Sequence, residues 1–130
     1  MEYRQFSPLN DFHAKYWTER YPLDALVPML ELLDEVDELD KSKITAPQLL
    51  IYSPDDNVID VEKALSTVKE FSAANVTIEA FTSSTDPSQH VLVGLGSTAS
   101  NDVQEQVDKM LRILVHYVIS VSANKLDSST

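Results

Sequence analysis

Two side chains in this sequence have the type and placement for proton-transfer chemistry, Asp56 and His90. Asp56 sits in the turn Ser53-Pro54-Asp55-Asp56-Asn57, directly after the apolar run Leu49-Leu50-Ile51-Tyr52. His90 ends a polar stretch, residues 83–89, and is followed by Val91-Leu92-Val93. An imidazole titrates near neutral pH and can carry a proton in either direction. A carboxylate beside it fixes the tautomer and stabilises the charged ring. Such a pair serves to activate a hydroxyl nucleophile for acyl transfer. Asp55 is the alternative acid. The blander alternatives are an Asp doing ordinary turn chemistry and a His on the surface or in packing. His13 and His116 show no partner spacing. Three scattered His with no Cys do not compose a metal site. Phosphate-cradling and dinucleotide-binding glycine motifs are absent, so neither a metal nor a cofactor is expected. The hydroxyls of Ser83, Ser84, Thr85 and Ser97 read most simply as loop polarity, with Ser84 and Ser97 the only conceivable nucleophiles of this chain's own.

The elements that must position the pair alternate in type. Pro47 precedes residues 48–53, a short continuous apolar run ended by turn residues, which reads as a strand buried on both faces. Asp60 is placed to cap a helix over 61–72 with Ala64, Leu65, Val68 and Phe71 inward. Residues 76–82 alternate, with Val76, Ile78 and Ala80 on one side, and read as a second strand nearer an edge. Strand, helix, strand makes a right-handed parallel unit, and the fold class is α/β. Both candidate residues then follow the C-terminal ends of parallel strands, where open α/β sheets carry their chemistry.

Flanking this unit, residues 24–39 read as a helix capped by Asp24, with Pro28 in its first turn. Leu26, Met29, Leu30, Leu33 and Val36 form its inward face, and Glu31, Asp34, Glu35, Asp37 and Glu38 a solvated one. Residues 101–120 are helical again, with Asn101 and Gln104 resembling a capping box. Its stretch 115–121 is apolar enough to predict a deep core position. Residues 1–21 are aromatic-rich without a period and read as an irregular cap or lid remnant packed on other structure. Residues 22–121 carry the helix-strand-helix-strand-helix order, and 122–130 read as a polar, frayed tail. The chain is one segment without repeats.

A length of 130 residues suits one ordinary domain. The net charge of −11 disfavours nucleic acid and anionic membrane as partners, because phosphates are repelled. Without Cys, disulfides and thiolate metal sites are excluded. No apolar window approaches the roughly 18 residues of a membrane span, and no signal peptide is evident, so the expected location is the cytoplasm. Only Gly94 and Gly96 are glycines, few for a complete α/β enzyme.

Residues 21–118 resemble the C-terminal portion of bacterial α/β-hydrolases of the carboxylesterase or lipase-like kind. Three segments carry the resemblance: Tyr21-Pro22-Leu23-Asp24-Ala25-Leu26-Val27-Pro28-Met29-Leu30, Ala46-Pro47 through Asp60, and Ser84-Thr85-Asp86-Pro87-Ser88-Gln89-His90-Val91-Leu92-Val93-Gly94. The resemblance places the catalytic acid at Asp56 and the catalytic His at His90. It implies a partial hydrolase fold, a βαβα portion with two parallel strands and three or four helices, and a small ester as substrate once a nucleophile is supplied. The departure is that no G-x-S-x-G elbow occurs. Gly94-Leu95-Gly96-Ser97-Thr98 has its Ser after the second Gly and lies after His90, in the wrong order. Acting alone, such a chain is expected to be inactive. The alternative function is a non-catalytic α/β interaction or dimerisation module. In either case the apolar helix faces predict weak stability or homo-oligomers.

Overall fold

In the computed structural model, described over residues 2–71, 76–94 and 103–127, the run Gln-Leu-Leu-Ile-Tyr forms strand β3 (Gln48–Tyr52). The segment Val-Thr-Ile-Glu-Ala forms β4 (Val76–Ala80). The two pair in parallel from Gln48↔Val76 to Tyr52↔Ala80. Between them lies helix α3 (Val61–Val68), capped as its sequence dictates: Asp60 accepts from the Lys63 amide at 2.8 Å. The chain is therefore a mixed α/β structure around a two-stranded parallel sheet. The β3 residues are half-buried throughout rather than buried on both faces, because among the described residues β3 has β4 as its only ladder partner.

The N-terminal 21 residues are not irregular. Strands β1 (Tyr3–Gln5) and β2 (Arg20–Pro22) pair antiparallel around a short helix, α1 (Asp11–Tyr16). The Phe6 amide donates to the Glu19 carbonyl at 2.8 Å, extending the ladder. Asn10 caps α1 by accepting from the His13 amide at 2.7 Å. Strands of three residues and a helix of six are too short to show a period, so the sequence pattern was silent.

Helix α2 (Val27–Glu38) follows a tight 3-10 turn over Leu23–Leu26. That turn takes up Asp24, so Leu26 holds the N-cap position with no side-chain cap, and Pro28 lies in the first turn as expected. The anticipated inward face is not covered: Met29, Leu30, Leu33 and Val36 are exposed. Polar contacts tie α2 to α3 instead. Buried Lys41 donates to the Asp37 carbonyl at 3.0 Å and pairs with Glu70 at 3.3 Å, and Lys63 pairs with Asp37 at 3.2 Å.

Helix α4 (Val103–Asp127) has 25 residues, about 37 Å at 1.5 Å per residue. A five-residue strand spans only about 17 Å. The helix overruns the sheet, and Val115, Val118 and Ile119 are exposed, the last at 62%, so the expected deep core at 115–121 does not form. Of the tail expected to fray, residues 122–127 are helical, and 128–130 lie outside the described residues. No Gly or Pro interrupts the C-terminal residues, helix propagation adds one hydrogen bond per residue, and the helix runs to Asp127. Asn101, the anticipated cap, lies outside the described residues, as does Ser97. On the sheet side of α4, Ile113 and Tyr117 line one cavity with Leu49 and Thr77. The covered face of β4 is thus the Thr77 side, and Ile78 on the other face stays exposed. Among the described residues Phe81 is the one fully buried apolar side chain.

Candidate active site

The acid is built by its own turn. After β3, the Asp56 amide donates to the Ser53 carbonyl at 3.3 Å. The Asp56 Oδ1 then accepts from the amides of Val58 and Ile59 at 2.8 and 3.1 Å. Both lone pairs of that oxygen are committed to the turn, which leaves Oδ2 for a partner beyond it. Oδ2 lies 2.9 Å from His90 Nδ1, across 34 residues of sequence. The structure therefore brings together the two residues singled out by type and spacing, and pairs His90 with Asp56 rather than Asp55. The acid side chain is 5% exposed and the imidazole 43%.

Burial pushes the Asp56 carboxyl up. The Val58 amide, the His90 ring and the Ile59 amide together outweigh burial and hold it below the ordinary carboxylate range. An ionised carboxylate can only accept, so the short contact requires the proton on Nδ1. In the neutral ring Nε2 then carries the lone pair, the arrangement a general base needs.

The His90 loop is held by a residue that pattern reading overlooked. Asp86, 3% exposed, accepts at Oδ2 from the amides of His90 and Val91, at 3.0 and 3.1 Å, and from the Ser88 hydroxyl. Burial raises this carboxyl, but the Ser88 hydroxyl and the amides of Val91, His90 and Ser88 outweigh it, and its pKa also lies below the ordinary value. Gln89, one residue before His90, adopts the left-handed conformation with φ 58°. Its side chain donates to the Asp86 carbonyl at 2.9 Å. The Asn57 amide donates to the Ser88 carbonyl at 2.9 Å, joining the two loops beside the Asp56–His90 pair. A signal for Asp86 was present in the sequence: an Asp four residues before the His, followed by Pro and Ser, is the composition of a side-chain-closed turn.

The described hydroxyls near this loop are engaged in building it. Ser84 donates to the Val91 carbonyl at 2.8 Å and accepts from the Asp86 amide at 3.1 Å. Lys109 of α4 donates to Ser83 at 2.8 Å, and Gln106 donates to Thr85 at 2.8 Å. His13 lies on α1 and donates no ligand set; among the described residues no cluster of three His, Asp or Glu could hold a metal ion. His116 is exposed on α4 beside a cavity facing Thr77 and Glu79. Among the described residues no helix is long and apolar enough to cross a membrane. The arrangement amounts to a buried, ionised acid fixing the tautomer of an accessible imidazole. No protein-family model, no curated protein and no solved structure matches this chain.

Proposed function

We propose that Asp56 and His90 are the acid and base of a serine-type ester hydrolase, with the nucleophile supplied by a segment that this sequence does not contain. The observation that carries this reading is the 2.9 Å contact between His90 Nδ1 and a buried Asp56. In this role Asp56 orients the ring and stabilises its charged form, and Nε2 takes the proton from the serine and returns it to the leaving alcohol. The finer fold assignment, a C-terminal part of an α/β-hydrolase sheet, belongs to the same proposal. It is supported by the strand, acid, helix, strand, His order and by the resemblance of residues 21–118.

Two measurements test it. Nitrogen-15 NMR of the chain should find the neutral His90 protonated at Nδ1, and an Nε2–H tautomer would sink the proposal. The chain alone should not turn over short p-nitrophenyl esters. Joined to the coding frame upstream of Met1, if that frame carries G-x-S-x-G, it should do so, and His90→Ala in the joined protein should lower kcat by about 10⁶-fold. An upstream frame with no such motif, or an activity indifferent to His90→Ala, would overturn it.

A second reading, a non-catalytic interaction module, is favoured by a different observation, the exposed apolar faces of α2 and α4. Surfaces of this kind mark protein contacts in soluble proteins.

A further inference from the structure

His90 lines a cavity of about 630 Å³, within the roughly 300–1,000 Å³ of small-molecule sites. Its two walls come from parts of the chain far apart in sequence. One wall is the aromatic side of the N-terminal unit, with Phe12, Tyr16 and Trp17. The other is the His90 loop with Val91 and Val93, and Val58 stands at the acid turn. Asp56 does not line the cavity, although His90 does. Since Nδ1 is committed to Asp56, the ring atoms left for the cavity are Nε2 and its neighbouring carbons.

We propose that this cavity binds an uncharged, largely apolar alcohol, its hydrocarbon part against α1 and its hydroxyl donating to His90 Nε2. The inference needs no nucleophile and so goes beyond hydrolysis: it is a binding function that the chain can perform alone. Three features select the ligand class. The lining is mostly aromatic and aliphatic, which favours hydrocarbon. It contains no Lys or Arg, and Asp86 among its residues is an anion, so a carboxylate or phosphate ligand is disfavoured. A cation is poorly served as well, because Asp86 is 3% exposed and its Oδ2 already takes three donors. Tyr16, Trp17 and His13 also bring polar atoms to the lining, but His90 Nε2 is the one that the Asp56 contact sets as an acceptor while the ring is neutral, and an acceptor calls for a hydroxyl rather than an ester or ketone oxygen.

The chain carries its own reporter. Trp17 is the single tryptophan of the sequence, it lines the cavity, and it is 58% exposed, so filling the cavity should shift its emission to shorter wavelength. The experiment titrates the full chain at pH 8 with 1-octanol, octanoate and octylammonium, following Trp17 fluorescence. A saturable blue shift with 1-octanol is expected, about tenfold tighter than with either charged probe. His90→Ala should weaken 1-octanol by roughly five- to tenfold, the worth of one hydrogen bond, and leave octylammonium unchanged. Val58→Phe, a filling change at an exposed position, should abolish saturable binding with an unaltered far-ultraviolet dichroism spectrum. Absence of saturation with 1-octanol overturns the proposal, as does octanoate or octylammonium binding as tightly. So does 1-octanol affinity that ignores both substitutions. Because the readout involves no turnover, these outcomes are independent of whether Asp56 and His90 serve in hydrolysis.

Discussion

The loop that carries His90 and the helix that follows it are near neighbours in the chain, and they are held in opposite ways. The loop has little apolar burial beyond Phe81, yet its polar groups are densely cross-connected: one Asp86 oxygen takes three donors, and a backbone bond from Asn57 ties it to the acid turn. Helix α4 has ample apolar surface, and Val115, Val118 and Ile119 leave most of it uncovered. Directional bonds closed within a few residues need no partner from elsewhere, whereas an apolar stripe is stabilised only by the surface that covers it. The Asp56–His90 region is therefore held by bonds among its own two turns, with Gln106 and Lys109 of α4 reaching Thr85 and Ser83, whereas the apolar faces of α2 and α4 are left largely uncovered.

The sharpest way to break that contrast is Asp86→Ala. It leaves two amides and a hydroxyl in the turn without their acceptor, at about 3 kcal/mol in total, and frees His90 from Asp56. Urea denaturation and the His90 ring resonances should both register the loss. Retention of the paired-ring signature would show that the loop is held by something other than Asp86.

Acid should weaken the same region next. Asp56 and Asp86 both have pKa values lowered in the folded chain, against an ordinary Asp value of about 3.9. A depressed carboxyl contributes stability that is complete above the unfolded value and disappears as pH falls through the folded one. Melting temperatures should accordingly be insensitive to these two groups from pH 6 to about pH 5 and fall below about pH 4. Asp56→Asn should flatten part of that fall. A fall completed well above pH 5 would assign it to other groups.

The smallest effect on the fold is expected on the other side of the contrast. Ile119→Glu should change stability by less than about 0.5 kcal/mol, because the side chain is already exposed. If the apolar face of α4 joins copies of the chain, the same substitution should shift sedimentation towards the monomer while leaving the His90 resonances in place. A large loss of stability without a change of mass would mean that α4 packs within its own chain.

The sequence disclosed what local chemistry decides. The strand expected at 48–53, the Asp60 cap and the strand expected at 76–82 follow from run length, turn residues and a side chain that can accept at N3; the strands form over 48–52 and 76–80, and the capped helix, expected over 61–72, ends at Val68. The approach of Asp56 to His90 was legible because both follow adjacent parallel strands. Burial was not legible. Periodicity tells which face of α2 or α4 is apolar, not whether anything lies against it, and Leu33 and Val118 stay more than half exposed. Asp86 was missed for a related reason: its role is to receive bonds from the loop it belongs to, and such closure is a property of backbone geometry, including the left-handed Gln89, that residue types only suggest.

The sheet has a further consequence. Strand β3 carries no charged residue, no Pro and no bulge, and one side of its backbone has no ladder partner among the described residues. Natural edge strands are ordinarily protected by such features against adding a foreign strand. If that side is open in the full chain, the Gln-Leu-Leu-Ile-Tyr edge is a template with its register free, and concentration becomes a variable: crowded chains should then add strand to strand along β3, and a peptide complementary to that edge should suppress the growth.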